Sequence, residues 1–275
     1  MHIDESEVQT FHKSLIKNFE DAVRSCMHDH TGVAFSGGID SSLIASIAKS
    51  FNPDIELCTV GMHGSYDIKH ARRAAALLGL EDRLRIYECT GADIESAIPR
   101  AIGAIESTNP VAVGIGICVY LVSQCAHTNG IRFLVTGQGA DELFAGYKRY
   151  EQAFDDGILD HELEKDVLAL PAQIKRDVAV AQLNHVELYM PMLDLADIAA
   201  RIDVKLKMRK EKSNYIRKYI LRRVSEDYLP AELVWAPKKA VQYGTGIQNA
   251  LRRMARKRGL GQEDLLRQYS PDKLV

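Results

Sequence analysis

Apolar residues return at helical spacing along residues 5 to 28, at Val8, Phe11, Leu15, Phe19, Val23 and Cys26, which predicts an amphipathic helix. The pattern then changes to short apolar runs separated by longer amphipathic stretches. GVAF at 32–35 predicts a strand and Ser42 to Ser50 a helix; IELCTV at 55–60 predicts a strand and Asp67 to Leu78 a helix closed by Gly79. LRIYEC at 84–89 is the next strand. It is followed by a largely helical run at 92–106, a helix over ICVYLVSQCAHTN at 117–129 and a strand over IRFLVTG at 131–137. Strands separated by such helices predict parallel βαβ units, with ligands beyond the carboxyl ends of the strands. The expected fold class is α/β: a parallel sheet of about five strands with helices on both faces.

After Gly146 strand patterning is lost, and residues 163–202 read as helices broken at prolines. Two regions are therefore expected. Residues 1–149 form the α/β part with its N-terminal helix, and residues 150–275 form a mostly helical part that closes over the strand ends.

With 275 residues and 46% AVILMFWYC, the chain can bury a substantial core. Its net charge of −2 hides two crowds of cations, one from Lys205 to Arg223 and one from Arg252 to Arg258. Such patches suit nucleotide phosphates, a nucleic acid or plain solvation. The cysteines Cys26, Cys58, Cys89, Cys118 and Cys125 show no CxxC spacing and lie mostly in apolar runs. That points to reduced core thiols in a cytoplasmic protein rather than disulfides or a zinc site. No signal peptide begins the chain, and the most apolar stretch, at 109–122, reads as too short and glycine-rich to span a bilayer, so no membrane partner is expected.

Two loops carry the candidate chemistry. In VAFSGGIDSSLIA, at 33–45, Gly37 and Gly38 let backbone N–H groups approach an anion, and the following helix start adds unpaired N–H groups and a favourable dipole. Ser36, Ser41 and Ser42 add hydroxyls. A carboxylate at Asp40 repels phosphate unless it holds a cation, so it marks either Mg²⁺ or a helix cap. The plainer reading is a Gly-Gly turn before a capped helix; a GxxxxGK[ST] loop and a GxGxxG fingerprint are both excluded. In VTGQGADELFAGYKRY, at 135–150, Asp141 and Glu142 follow a strand directly, which suits magnesium or a solvated acidic pair at a helix start.

These segments carry a resemblance. SGGIDSS is similar to the SGGxDS loop of the N-type ATP pyrophosphatases. GQGADELFAGY resembles the second signature of the synthetase domain of glutamine-dependent asparagine synthetases and of β-lactam synthetase. The likeness extends through TVGMHGSYDIKHARRAAALLG, AIESTNPVAVGIGICVYLVS, YMPMLD and ILRRVSEDYLPAELVWAPKKAVQYGTG, from roughly residue 30 to 246. It implies ATP and Mg²⁺ as cofactors. Ser36, Gly37, Gly38, Asp40, Ser41 and Ser42 would hold the β- and γ-phosphates, Asp40 and Asp141 the magnesium, Val60 and Gly61 the adenine side, and Gly137 and Gln138 the nucleotide site. Lys218 and Lys238 match family lysines that approach the phosphates, and Glu106 matches a glutamate of the second half-reaction.

The departures lie on the acceptor side. The family aspartate after Glu106 is Asn109 here, and family arginines correspond to Gly114, Tyr189 and Ala236. Loss of charges that would pair with an amino acid makes free aspartate a poor expected substrate, unless Arg132 or Lys239 has taken over. The phosphate loop comes after only about 35 residues, so a glutaminase domain is not expected ahead of it. The leading expectation is an AMP-forming ligase that activates a small carboxylate for ammonia or an amine, with a separate glutaminase subunit as one nitrogen source. The second is a tRNA-modifying enzyme using the basic segment 205–223. The third is a non-catalytic ATP-binding protein. The oligomeric state is left open, a homo-oligomer included.

Overall fold

A computed structural model describes residues 5–236 and 244–270. Five strands form one parallel sheet in the order β3-β2-β1-β4-β5: β1 (Thr31–Ala34), β2 (Glu56–Met62), β3 (Leu84–Cys89), β4 (Phe133–Val135) and β5 (Glu187–Tyr189). Leu57, Cys58 and Val60 of β2 are buried. Such near-continuous burial suits a strand covered on both faces of a parallel sheet.

Helices α1 (Glu5–Ser25), α2 (Ile39–Phe51) and α3 (Tyr66–Leu77) share one core, in which Phe19, Leu43, Ile47 and Ala74 pack together. Full burial of each large aliphatic side chain there contributes about 1.5–3 kcal/mol. Leu195, Ile220 and Leu233 join the same core from the later part of the chain. On the opposite face α4 (Gly91–Ile105), α5 (Pro110–Thr128) and the helix Ile247–Lys257 enclose Ile98, Ile117 and Leu251.

The chain moves outward from β1 to β2 and β3, then returns to the other side of β1 as β4. The carboxyl ends of β1 and β4 therefore flank the point where strand order reverses, which is where open α/β sheets leave a crevice.

Several elements differ from expectation. β5 and an antiparallel hairpin, β6 (Met208–Glu211) with β7 (Asn214–Arg217), lie in the region read as mostly helical, where the pattern showed no strand. Strands of three or four residues are too short to display an alternation. Beyond the short helices α6 (Ala140–Leu143) and α7 (Tyr150–Asp155), α8 (Leu159–Gln182) runs unbroken through Pro171, which sits on its exposed side, where water can satisfy the carbonyl that loses its N–H partner. Helix α5 is longer than its apolar pattern suggests, because Asn109 caps it and Pro110 opens it. Its 19 residues are long and apolar enough to cross a membrane by length and composition. It packs instead as a core helix against α4, α8, β2 and β3. All five cysteines are buried and free of disulfides.

Candidate functional site

The loop after β1 is held in shape by its own hydroxyls. Ser36 N–H donates to Ser41 Oγ at 3.3 Å, Gly38 N–H donates to Ser36 Oγ at 3.3 Å, and Ser41 Oγ donates to Gly38 O at 3.2 Å. Gly37 has φ +74°, and a Cβ there would stand 2.7 Å from the His70 carbonyl oxygen, so only glycine lets the loop sit on α3. Gly38 is the N-cap of α2 and offers no side-chain cap. Ser42 Oγ is fully buried with no hydrogen-bond partner among the described residues.

The loop after β4 comes alongside because position 137 lacks a side chain: a Cβ on Gly137 would stand 2.9 Å from Asp40 Cβ. Between the two loops lies Lys218. Its ammonium donates to Asp40 Oδ1 at 2.6 Å and lies 2.8 Å from Asp141 Oδ1. Lys218 is 1% exposed, whereas the two carboxylates face the crevice. The β6–β7 hairpin delivers it: β7 ends at Arg217, and Lys218 then adopts φ +58° at the start of the helix Tyr219–Ser225. A left-handed lysine costs of order 1 kcal/mol, and Arg217 helps to hold it by donating to Gly146 O at 3.0 Å while pairing with Glu151. Gly146 closes the arrangement, since a Cβ there would overlap both Asp141 Oδ1 and Lys218 Cε.

Glu142, next in sequence to Asp141, does not join this cluster. It is 2% exposed and accepts from the Tyr147 hydroxyl at 2.7 Å. Burial pushes its carboxyl above the ordinary range and the Tyr147 phenol far above its own.

A cavity of about 320 Å³ opens beside the loops. Ser36, Asp40, Ser41, Gly137, Gln138 and Asp141 line it on one side, and Val60, Asp67 and Thr245 on another. Gly61 packs against Ser65 and Ile68 at the end of β2. Thr245 is fixed by its carbonyl, which accepts from Met62 N–H at 2.9 Å.

Other expected residues lie elsewhere. Glu106 ends α4 in an exposed left-handed turn and is not part of the cavity wall. Asn109 caps α5, accepting from Val111 and Ala112 N–H at 3.0 and 3.1 Å. A side chain at Gly114 would overlap Gln248 Oε1, so that space belongs to the helix Ile247–Lys257. Leu188 and Met190 line the cavity, whereas Tyr189 between them packs its ring 5.3 Å from His28 and 5.8 Å from Phe133. Arg132 lies exposed just before β4, at the end of the sheet away from the crevice, and is not part of the cavity wall. Lys238 and Lys239 lie outside the described residues.

The cavity also contains charged groups that the pattern of α8 did not reveal. Arg176 and Asp177 form two hydrogen bonds, Nε to Oδ1 at 2.7 Å and Nη2 to Oδ2 at 3.0 Å, and both line the wall beside Gln173. Burial raises the Asp177 carboxyl even though Arg176 pulls it down. Adjacent opposite charges within an otherwise apolar turn, KRDVAVA, were the available signal.

The basic segment is largely engaged internally. Lys207 and Lys218 are buried, Lys210 pairs with Asp155, Arg223 pairs with Glu226, and Arg222 donates to Val234 O.

The residues present fit a magnesium ion. Two carboxylate oxygens already converge on a single cationic atom, and no cluster of three or more metal-binding side chains occurs among the described residues. Two protein carboxylates suit Mg²⁺, which keeps waters and takes substrate phosphate oxygens for the rest of its shell.

The asparagine synthase family model matches residues 14–163 and 159–269. The chain is 34% identical over 269 residues to a Methanocaldococcus jannaschii protein bearing an asparagine synthetase name, covering 86% of this chain and 49% of that protein. It is 31% identical over 247 residues to asparagine synthetase B (glutamine-hydrolyzing) of Escherichia coli K12, covering 82% of this chain and 44% of the relative. For asparagine synthetase 2 (glutamine-hydrolyzing) of Lotus japonicus the identity is 30% over 258 residues, 86% and 42% respectively. The chain thus spans about half the length of the curated relatives it matches. With a family match along nearly its whole length, the chain belongs to the asparagine synthase family.

Proposed function

We propose that this chain carries an ATP-dependent ligase site that forms AMP and pyrophosphate. It adenylates a small carboxylate and passes the acyl group to ammonia or an amine. The observation that carries the reading is the Lys218 ammonium held between Asp40 and Asp141 where the two strand-end loops meet. Two carboxylates and one buried ammonium leave net negative charge facing the crevice, so this frame, set beside a helix N-terminus, takes a polyanion together with a divalent cation.

In this reading the Ser36 and Ser41 hydroxyls, which line the cavity, and the first N–H groups of α2 bind the β- and γ-phosphates, and Val60, also in the wall, lies with Gly61 on the adenine side. Asp40 and Asp141 are the residues to hold Mg²⁺, which when bound neutralises charge on the departing pyrophosphate. In the first step a carboxylate oxygen attacks the α-phosphorus and the bond to the β-phosphate oxygen breaks. In the second, nitrogen attacks the acyl carbon, its bond to the AMP oxygen breaks, and the nitrogen gives up a proton. The nitrogen is that of an amine or of ammonia, free or released from glutamine as in the names of the relatives. The tRNA reading gains nothing from segment 205–223, whose cations are mostly buried or paired.

A screen tests this. ATP is supplied with amino acids, dicarboxylates, other small carboxylates or tRNA, each with and without ammonia, and AMP is measured. AMP that depends on a small carboxylate supports the proposal, and AMP formed only with tRNA contradicts it.

A further inference from the structure

From Phe35 to Gly38, three of the four N–H groups are spent inside the fold. Phe35 N–H donates to Cys58 O at 2.7 Å, Ser36 N–H to Ser41 Oγ and Gly38 N–H to Ser36 Oγ. The Gly37 N–H makes no hydrogen bond among the described residues, although Gly37 is buried. A buried N–H without a partner is rare, because nothing offsets its loss of water.

The direction of this N–H is set by the peptide that joins Ser36 to Gly37. In a planar trans peptide the N–H and C=O point opposite ways, so whatever holds the Ser36 carbonyl also aims the Gly37 N–H. Local sterics do not fix that peptide, since turning it over changes φ of residue 37 and glycine accepts either sign. The observed φ is +74°. His70 of α3 supplies the hold. Its imidazole bonds the Ser36 backbone, and because Ser36 N–H is committed to Ser41 Oγ, the ring N–H donates to the Ser36 carbonyl. The hydroxyl bonds within the loop do not involve this carbonyl. The ring is itself fixed, half-buried and stacked on Tyr66 with 5.2 Å between centroids and 15° between planes. Resting on the ligase reading of the same loop, we propose that His70 is a positioning residue for nucleotide binding: it keeps the Ser36 carbonyl against α3, and so keeps the Gly37 N–H turned away from the ring and available to a phosphate oxygen.

Ser36–Gly37 is the only Ser-Gly step in the chain. Labelling serine with ¹³C at the carbonyl and glycine with ¹⁵N therefore isolates the Gly37 amide by NMR, and inorganic pyrophosphate with Mg²⁺ is the probe. In the wild type the amide proton is expected to move downfield on saturation, as an N–H does when it gains a charged acceptor. His70→Phe keeps a ring against Tyr66 and removes the donor. At unaltered Tm it should bind pyrophosphate about tenfold more weakly by calorimetry, with a smaller Gly37 shift. At least one of His70→Asn and His70→Gln, which place an amide N–H near one ring nitrogen or the other, should recover most of the affinity; a packing role would instead tolerate phenylalanine and reject both amides. Wild-type affinity in folded His70→Phe, or a wild-type Gly37 amide that does not respond while pyrophosphate binds, would overturn the proposal, and the second result needs no variant to fold. Absence of pyrophosphate binding to the wild type would remove the ligase reading and this proposal with it. A Gly37 response with ADP as the product of ATP cleavage would remove only the reaction class.

Discussion

Lys218 donates to Asp40 at 2.6 Å across 178 positions of sequence, and this bond ties the hairpin of the later region to the first turn of α2. Replacing Lys218 by methionine should lower turnover by about 10²–10³. It should also destabilise the fold by about 3–5 kcal/mol, because Asp40 and Asp141 would face each other without their cation. Turnover and chemical denaturation measured together check both effects. A fully stable variant would show that the two carboxylates do not depend on Lys218.

Asp40→Asn and Asp141→Asn keep size and remove one charge each. Pyrophosphate release should fall by at least about 100-fold in either, with a much smaller change in melting temperature. Parallel activity and melting measurements decide between this outcome and loss through unfolding alone.

At Gly146 the space for a side chain is already filled by Asp141 and Lys218. Gly146→Ala should therefore cost about 1–3 kcal/mol through overpacking and should reduce turnover as well, since the displaced atoms are those of the cluster. A variant with unaltered Tm and activity would mean that the three residues are not packed as described.

Much of this cluster was legible because glycine positions and adjacent acids leave a local trace. SGGIDSS and GQGADE mark backbone that approaches other backbone closely, and Gly37 and Gly137 do so. The alternation of strands and helices up to residue 137 likewise survives in the sheet order. What escaped was set by distant contacts. The short strand β5 exists only through pairing with β4, and the β6–β7 hairpin is known by its partner strand rather than by its pattern. The Arg176–Asp177 pair becomes a wall of the cavity only once α8 lies across α5. Asn109, expected from resemblance to be an acceptor-side departure, has a sufficient local role as a helix cap.

That cap can be weighed separately. Asn109→Ala should lose about 1 kcal/mol, whereas Asn109→Asp, which also caps, should stay within a few tenths. Thermal melts of the two variants distinguish capping from a packing role, for which both changes would cost alike.

Glu142 provides a pH signature. Its folded carboxyl titrates above its unfolded value because burial disfavours the charge, so between those values the folded state holds more protons. Stability from this group is therefore lost as pH rises through that window. Glu142→Gln retains an acceptor for Tyr147 without the charge. Its Tm relative to wild type should be lowest below the ordinary glutamate range and should rise as pH increases through the window. A difference that does not vary with pH would contradict the assignment.

Cleavage of ATP between the α- and β-phosphates is reported directly by a labelled γ-phosphate. γ-Labelled ATP is incubated with the chain, Mg²⁺, ammonia and the most active carboxylate, and the products are separated by chromatography. Label in pyrophosphate with equimolar AMP is the expected result; label in orthophosphate with ADP as the dominant nucleotide would contradict it.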